Sequence, residues 1–302
     1  MDRIVEALLG FARPDQILVN EPMSRHTTFR VGGPADVLFL PESGGDVARA
    51  LAAAKALGVE AYVIGNGSNL IVRDGGVRGL VIGLGDGMSA VSREGNVVAA
   101  QAGATLARVS AFAQGEGLSG LEFASGIPGT LGGGCAMNAG AYGGQLSDCL
   151  IDATVLVNGE EQTWTVQDMA MGYRTSRPLR EGGVVLSARF RLTPDDPQAI
   201  LARMKELNAR RRDKQPLNYP SAGSTFKRPK GHFAGALIEG AGLKGRRVGG
   251  AQVSEKHAGF IVNAGGATAA DILALIRVVQ DAVRAKDGVA LETEVRIIGE
   301  DA

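Results

Sequence analysis

The sequence predicts an α+β fold in which a ligand-binding region before residue 194 is followed by a smaller α/β cap. Three observations support this prediction. Helical and strand-like patterns are mixed along 302 residues, a length that exceeds one typical domain. Two glycine-rich segments, 63–72 and 125–144, lie in the first part, and the acidic, proline-flanked stretch 194–197 interrupts regular structure between the parts.

The elements of the first part follow from periodicity and from helix-ending residues. An amphipathic helix over 3–12 precedes a strand over 26–40, and an alanine- and leucine-rich helix over 46–57 ends at Gly58. A short apolar strand over 60–64 leads into the first glycine loop. Further strands are expected at 70–73, 79–84, 97–102, 151–157, 160–165 and 184–192, with a helix at 105–115.

The second part begins with a helix over 198–212 that ends in a basic cluster. It continues with helices over 233–240 and 268–286 and with strands over 248–253, 258–263 and 291–298. No internal repeat is present.

Composition excludes several classes of protein. Lys and Arg total 32, as do Asp and Glu, so no overall field favours nucleic acid or an anionic membrane. Two cysteines, Cys135 and Cys149, are too few for a disulfide framework or a zinc site, and no metal site is predicted. The acidic start lacks the apolar core of a signal peptide, and no run reaches the ~20 apolar residues that span a bilayer. We expect a cytoplasmic protein.

Glycine makes up 44 residues, about twice the usual share of ~7%. Segment 125–144 has too little side-chain surface for packing alone to explain it, so we expect backbone amides to press against a flat or phosphate-bearing ligand. The pair Gly65 and Gly67 lacks the third glycine and the helix of a dinucleotide-binding fold, since Leu70 and a strand-like stretch follow. No P-loop motif occurs. Taken alone, this pair also fits an ordinary turn.

Seven motifs together resemble the UDP-N-acetylenolpyruvoylglucosamine reductase family, in its shorter subclass without a tyrosine-bearing insertion. They are HTTFRVGGPAD (26–36), GNGSNLIVRDGG (65–76), SGIPGTLGGGCAMNAGAYGG (125–144), YRTS (173–176), AGSTFKRP (222–229), HAGFIVNAGGAT (257–268) and LETEVRIIGE (291–300). The resemblance implies a two-lobed FAD-binding domain of the vanillyl-alcohol-oxidase/cresol-methylhydroxylase type over 1–195, with lobes at about 1–83 and 84–195. A C-terminal substrate-binding domain over 196–302 would follow.

The resemblance implies FAD as cofactor and NADPH as co-substrate. Because the first glycine loop contains no histidine, the flavin is expected to be non-covalent. The implied cofactor-binding residues are Gly65, Asn66, Gly67, Ser68 and Asn69 in the first segment, and Ser125, Gly126, Ile127, Pro128, Gly129, Gly132, Gly133, Asn138, Ala139 and Gly140 in the second.

The implied reaction reduces UDP-N-acetylglucosamine enolpyruvate to UDP-N-acetylmuramate in peptidoglycan precursor synthesis, with hydride passing from reduced FAD N5 to the enolpyruvyl methylene. Arg174 and Glu294 match the family's polar pair at the substrate carboxylate, and Glu294 would need a raised pKa to assist an anion. Ser224 matches the proton donor. Taken alone, Arg174 also fits a surface ion pair, Glu294 an alternating strand and Ser224 a turn cap.

Tyr173, Lys214 and Arg228 are the implied substrate contacts. Lys214 also fits a solvated helix C-terminus, where cations complement the dipole. The expected partner is a small UDP-sugar, without nucleic acid or membrane, and the expected assembly is a monomer or weak homo-oligomer. Two alternatives stay open: another flavoenzyme of the same fold, such as an oxidase, and a non-enzymatic flavin or nucleotide-sugar carrier.

Overall fold

The structure, a computed structural model, describes residues 1–302 and mixes helices with strands, as the sequence predicts. The α-helices are α1 (Asp2–Leu9), α2 (Gly44–Leu57), α3 (Leu106–Gly115), α4 (Leu131–Ala136), α5 (Arg177–Glu181), α6 (Pro197–Lys214), α7 (Ala234–Gly240) and α8 (Ala269–Asp287). None of them is both long and apolar enough to span a lipid bilayer.

The strands are mostly short. Those before residue 120 are β1 (Ile17–Pro22), β2 (Pro34–Phe39), β3 (Ala61–Ile64), β4 (Leu70–Val72), β5 (Val77–Gly83), β6 (Val91–Glu94), β7 (Val97–Gln101) and β8 (Leu118–Ser119). Those after it are β9 (Gly140–Ala141), β10 (Gly144–Gln145), β11 (Leu150–Val157), β12 (Glu160–Thr165), β13 (Val184–Arg191), β14 (Thr193–Pro194), β15 (Arg247–Val248), β16 (Ala251–Val253), β17 (Ile261–Asn263) and β18 (Arg296–Ile298).

The largest sheet is antiparallel and has the strand order β12–β11–β13–β7–β6. Its register places Val155 opposite Val185 and Ala188 opposite Ala100, and these four side chains are buried. A four-stranded sheet has the order β1–β2–β5–β3, and a three-stranded sheet has the order β15–β16–β17. β18 pairs in parallel with β4.

The chain divides into two compact units, each assembled from separate stretches. Unit 1 comprises Met1–Leu18, Val37–Asn66 and Gly79–Arg211, and unit 2 comprises Val19–Asp36, Gly67–Arg78 and Arg212–Ala302. The first glycine loop is therefore shared between the units, and so is α6. The division into an FAD-binding region over 1–195 and a substrate-binding domain over 196–302 stays a prediction.

Three hydrophobic cores hold the elements in place. Unit 1 has one core around Trp164 and Phe190 and another around Leu8 and Phe39. The core of unit 2 packs α8 against Phe226 and its neighbours. Burial of one large apolar side chain contributes about 1.5–3 kcal/mol relative to its exposure, so these cores supply most of the support for the loops described below.

Local capping explains the boundaries of the long helices. The Ser43 hydroxyl accepts the Asp46 N–H at 3.1 Å to begin α2, and Gly58, with φ 65°, ends it. At the start of α8, Thr268 and Asp271 form a reciprocal capping box. These signals are visible in the sequence, and both helices lie close to where it predicts them.

Elsewhere the structure departs from the predicted elements. The glycine-rich segment contains helix α4, and the strand expected over 291–298 is regular only at β18, with one isolated bridge between Phe226 and Thr293. The stretch 194–197 is not wholly irregular. Pro194 pairs with Leu118 in β14, and Pro197 is the first residue of α6, where its missing N–H costs nothing.

Candidate active site

The two glycine-rich segments meet in unit 1 at Gly65. A β-carbon on Gly65 would lie 2.1 Å from Oγ1 of Thr130, a distance that real β-carbons do not adopt. Thr130 is buried and immediately precedes α4. The end of β3 is therefore in direct contact with the start of α4, which places Gly65 and Asn66 beside the second segment. Their role as cofactor contacts stays a prediction.

Backbone hydrogen bonds anchor the second segment to the sequence just after β7. The Leu106 N–H donates to the Gly129 oxygen at 2.9 Å, and the Leu131 N–H donates to the Ala104 oxygen at 2.8 Å. The Leu131 bond satisfies one N–H group that the N-terminus of α4 would otherwise leave unpaired, and the Leu106 bond does the same for the N-terminus of α3. They explain how a glycine-rich stretch becomes helical here.

Close packing within the protein explains several of the glycines. A β-carbon on Gly132 would lie 2.9 Å from Cβ of Ala102, and one on Gly144 would lie 2.7 Å from the ring of Phe123. A β-carbon on Gly134 would contact leucine methyl groups at 3.1 Å. The expectation that packing leaves this segment unexplained is therefore wrong for these three positions.

Gly133 differs from its neighbours. It is exposed, and a β-carbon there would meet only Thr130 Oγ1, at 3.8 Å. Asn66 and Pro128 are also exposed. An accessible main chain without a side chain is a surface that a flat ring or a phosphate can approach closely. Among these exposed positions, Gly133 fits the close approach of a nucleotide-bearing flavin.

Helix α6 holds the start of the second segment. Asn208 Nδ2 donates to Ser125 Oγ at 3.1 Å, and Ser125 Oγ donates to the Glu122 oxygen at 2.8 Å. A β-carbon on Gly126 would lie 2.5 Å from Asn208 Oδ1 and 3.1 Å from Cδ of Arg211. The predicted cofactor residues Ser125 and Gly126 are thus fixed by side chains of α6.

Arg211 brings an unneutralised positive charge to Gly126. Its side chain is half-buried, burial lowers the pKa of its guanidinium, and no carboxylate contributes to that pKa. A partly desolvated cation without a protein partner fits an anionic ligand. The sequence marks the basic cluster at 210–214 but does not show which of its members is half-buried beside Gly126.

Asn138 shapes the end of the second segment. Its Oδ1 accepts the Ser147 N–H at 3.1 Å, and its Nδ2 donates to Gln145 Oε1 and Ser147 Oγ at 3.2 Å each. The buried side chain is thus committed to the protein, and a cofactor contact from Asn138 would have to use its main chain. Ala139 and Gly140 follow, and Gly140 begins the β9–β10 hairpin.

The rest of the first glycine loop belongs to unit 2. A β-carbon on Gly67, whose φ is 57°, would lie 2.1 Å from the His26 oxygen. Asn69 Nδ2 donates to the Glu294 oxygen at 3.1 Å, and the Arg296 N–H donates to the Asn69 oxygen at 3.0 Å. The predicted cofactor loop is therefore bonded directly to the segment that carries the predicted catalytic Glu294.

Arg174 sits at the tip of a tight turn in unit 1. The Gly172 and Thr175 main chains exchange hydrogen bonds of 2.9 and 3.3 Å across this turn, and Arg174 has a φ of 56°. Such a left-handed backbone is uncommon for a residue with a side chain. The guanidinium carbon lies 5.1 Å from the ring centroid of Tyr173, which is 57% exposed. The turn therefore presents both predicted residues together.

Ser224 and Glu294 lie on adjacent, paired segments of unit 2. Phe226 bridges to Thr293, and the Glu294 N–H donates to the Thr225 oxygen at 2.8 Å. Both predicted catalytic residues of this unit are half-buried. The approach of Arg174 to this pair stays a prediction, as does the pKa of Glu294.

Lys214 and Arg228, the predicted substrate contacts of unit 2, are both exposed. Lys214 is the last residue of α6. The guanidinium carbon of Arg228 lies 3.9 Å from the ring centroid of Phe233, itself an exposed aromatic residue. Neither predicted contact lines the cavity of the same unit.

This cavity has a volume of about 560 Å³ and lies beside the end of α6. Three cations line it, Arg212, Arg247 and Lys256, against one carboxylate, Glu255. Gln215 adds a buried oxygen, Oε1, that has no hydrogen-bond partner in the protein. An unsatisfied buried acceptor is costly. The cavity therefore suits an anionic ligand that carries a hydrogen-bond donor.

Two family models match the chain. One, described as an FAD binding domain, covers residues 35–165, and the other, described as the C-terminal domain of UDP-N-acetylenolpyruvoylglucosamine reductase, covers residues 215–298. Among curated relatives, the UDP-N-acetylenolpyruvoylglucosamine reductase of Agathobacter rectalis is 54% identical over 297 residues, which cover 94% of each chain.

Solved structures agree with these matches. The crystal structure of UDP-N-acetylenolpyruvylglucosamine reductase (MurB) from Thermus caldophilus aligns with a TM-score of 0.80 and 36% identity, over 93% of this chain and 97% of that one. Phl p 4, a grass pollen allergen with glucose dehydrogenase activity, has a TM-score of 0.51 and 16% identity over 64% and 44%, and shows a shared fold alone. The expected α+β architecture with a flavin-binding domain of the vanillyl-alcohol-oxidase type is confirmed. By sequence and by structure, the chain belongs to the UDP-N-acetylenolpyruvoylglucosamine reductase family.

Proposed function

We propose that the protein uses NADPH and non-covalently bound FAD to reduce UDP-N-acetylglucosamine enolpyruvate to UDP-N-acetylmuramate, a cytoplasmic step of peptidoglycan precursor synthesis. Family membership supports the reaction and the cofactor. One observation supports the assignment of particular residues. The Ser224 segment pairs with the Glu294 segment, and the Glu294 segment is hydrogen-bonded to the first glycine loop. We expect a monomer or weak homo-oligomer, which light scattering measures.

FAD, when bound, supplies hydride transfer between the nicotinamide co-substrate and the enolpyruvyl group. The protein's part is to hold and orient it. The exposed glycine at position 133 suits the close approach of such a ligand, and Arg211, which lacks a carboxylate partner, suits its diphosphate.

Arg174 and Glu294, two of the proposed catalytic residues, stabilise the negative charge that develops during the reaction. Hydride addition to the enolpyruvyl methylene moves negative charge toward the adjacent carbon and its carboxylate, so a fixed cation and hydrogen-bond donors lower the barrier. Arg174 supplies the planar, permanently charged donor. Glu294 assists only while it holds or shares a proton, because an ionised carboxylate would repel the developing charge.

Ser224 donates the proton to the α-carbon in this proposal. An alcohol is a weak acid in water, yet contact with a carbanion-like centre makes geometry more important than driving force. The paired backbone around Ser224 supports this role, because it restricts where the hydroxyl can lie.

We assign the cavity of unit 2 to the uridine diphosphate end of the substrate. Arg212, Arg247 and Lys256 provide positive charge for a diphosphate, and Gln215 Oε1 provides the unused acceptor that a uracil N3–H requires. The proposed contacts of Tyr173, Lys214 and Arg228 with the same substrate rest on the family resemblance alone.

Anaerobic absorbance spectroscopy tests the proposal in two half-reactions. NADPH should bleach the bound flavin, and UDP-N-acetylglucosamine enolpyruvate should then restore its colour with formation of UDP-N-acetylmuramate. A colourless protein that binds no FAD would support a nucleotide-sugar carrier, and bound flavin that NADPH does not bleach would support a flavin carrier. Rapid recovery of colour with oxygen alone would support an oxidase.

Ser224→Ala tests the proton donor. The variant should keep NADPH bleaching within about twofold of wild type and slow the second half-reaction by about 10²- to 10⁴-fold, the usual contribution of a positioned acid. Ser221→Ala, at a half-buried serine three positions earlier, is the matched control and should retain both rates. A wild-type second half-reaction in Ser224→Ala would remove Ser224 from this role.

A further inference from the structure

Thr225, the residue after Ser224, uses all three of its polar groups within unit 2. Its N–H donates to the Gly259 oxygen at 2.9 Å, and its Oγ1 accepts the Ile261 N–H at 3.1 Å. Its carbonyl oxygen accepts the Glu294 N–H at 2.8 Å. One side chain and its own backbone therefore join three separate stretches of the chain.

Burial of Thr225 makes the loss of any of these hydrogen bonds costly. Thr225 is 1% exposed, whereas Ser224 is half-buried. Water cannot replace a lost partner at such a site, so an unpaired amide there costs free energy or forces the segments apart. Ile261 begins β17 beside the Thr225 segment, and its N–H donates to the Thr225 hydroxyl.

The second stretch that Thr225 joins is itself braced. The Gly259 N–H donates to His257 Nδ1 at 3.1 Å, and the His257 ring lies edge-on to Phe260 with centroids 5.0 Å apart. Burial lowers the pKa of His257, which keeps Nδ1 free to accept. The turn that holds Thr225 is thus held by contacts of its own.

We propose that Thr225 is a positioning residue that sets the placement of Ser224 relative to Glu294, an inference that rests on the proposed function of these two residues. Thr225 itself does not touch the substrate. Its carbonyl holds the Glu294 backbone, and its hydroxyl holds the Ser224 segment against β17, so one residue fixes both the acid and the proton donor.

Thr225→Val isolates the hydroxyl, because valine keeps the branched shape but cannot accept the Ile261 N–H. We expect the bleaching of the flavin by NADPH to stay within about twofold of wild type. The second half-reaction at saturating substrate should slow by about 10- to 100-fold, since a displacement near 1 Å has effects of this size. The substrate concentration for half-saturation should change by less than about threefold, because the substrate contacts remain.

A second readout does not depend on turnover. Hydrogen exchange of the Ile261 amide in the FAD-bound enzyme should accelerate at least about tenfold in Thr225→Val, because its acceptor is gone. Thr225→Ser restores the hydroxyl without the methyl group and should recover most of the rate and of the exchange protection.

Val279→Ala is the matched control. Val279 is fully buried in α8 of the same unit, so its truncation destabilises unit 2 without touching the Thr225 bonds. A similar slowing in Val279→Ala, a wild-type rate in Thr225→Val, or no recovery in Thr225→Ser would each overturn the inference. If wild-type enzyme fails to turn over the enolpyruvyl substrate, the proposed function fails instead, so the two failures are distinguishable.

Discussion

The contact between Gly65 and Thr130 leaves no room for a side chain on the glycine. We expect Gly65→Ala to lower the free energy of unfolding by about 1–3 kcal/mol, since overpacking displaces the backbone. The added carbon would lie 2.1 Å from Thr130 Oγ1, so the displacement falls on the first glycine loop. Urea unfolding measures the destabilisation, and FAD titration measures the weaker binding that follows.

Two further variants sharpen this test. Gly115→Ala lies at the end of α3 with no atom within 4 Å of the added carbon, and it should be neutral or slightly stabilising. Thr130→Ala in the Gly65→Ala background removes the clashing oxygen and should restore part of the lost stability. Purely additive losses would show that the two residues are not in contact.

For Arg211 we predict a substitution that weakens ligand binding without lowering the free energy of unfolding. Arg211→Leu should raise the Kd for FAD at least about tenfold, because a charge-assisted contact is lost. The unfolding free energy of the apoprotein should change little or rise, since a half-buried cation without a partner disfavours folding. Arg210→Leu is the control, because Arg210 is exposed and lies over the Tyr142 ring. Equal FAD affinity in both variants would exclude Arg211 from the cofactor site.

At the scale of elements, α6 is attached both to the stretch that leads into the second glycine segment and to the first residue of that segment. Arg203 pairs with Glu122 at 2.9 Å, and Asn208 donates to Ser125 at 3.1 Å. Burial opposes ionisation of Glu122, but hydrogen bonds from main-chain N–H groups, including that of Gly120 at 2.7 Å, and from Arg203 outweigh it. The pKa of Glu122 is therefore held below its usual range.

Glu122→Gln should lower the free energy of unfolding by about 1–2 kcal/mol at neutral pH, because these bonds are strongest to a charged acceptor. The ordinary pKa of this carboxyl is 4.5, and its pKa in the folded protein is lower. The ionised group therefore stabilises the folded state above pH 4.5, and this contribution is lost as the pH falls through the folded-state pKa. The difference from wild type should therefore shrink below pH 4.5 in a series of urea titrations.

The control for this element is Glu116→Gln. Glu116 forms an exposed ion pair with Arg93 at 3.0 Å, and such pairs contribute about 0–1 kcal/mol. If Glu122→Gln lowers the free energy of unfolding as much at acidic pH as at neutral pH, the contribution of Glu122 to the attachment of α6 is not electrostatic. Such a result would indicate a packing effect instead.

At the scale of the whole molecule, cofactor binding and folding are linked. FAD at a hundredfold excess over its Kd should add about 2.7 kcal/mol to stability, which corresponds to a rise of about 5 °C in Tm for a protein of this size. Differential scanning fluorimetry measures this rise. FMN lacks the adenylate half and should shift Tm less, whereas an equal shift with FMN would confine recognition to the part of FAD that the two cofactors share, the isoalloxazine, the ribityl chain and one phosphate.

Local sequence signals predict the elements that depend on local interactions. Ser43 before α2 and Gly58 after it mark that helix from the sequence alone. Helix α4 could not be predicted in this way, because its glycines disfavour a helix and its start depends on the bond between Leu131 and Ala104. Tertiary contacts override propensity at this position.

The same distinction holds for the candidate site. The order of the motifs resembles that of the family, and this resemblance predicts Arg174, Ser224 and Glu294 as catalytic residues. The three bonds of Thr225, and the lack of a carboxylate beside Arg211, arise from how distant stretches pack, so neither is visible in the sequence. The sequence thus predicts which residues matter, and the structure shows how their positions are maintained.

The bond between Asn69 and Glu294 joins residues 225 positions apart. During synthesis on the ribosome the first glycine loop is translated long before the segment that carries Glu294. The contact therefore cannot form until the long stretch between the two residues has been translated, and such distant pairing slows folding. A nascent chain stalled just before Glu294 would therefore carry a first glycine loop whose Asn69 amide lacks its acceptor.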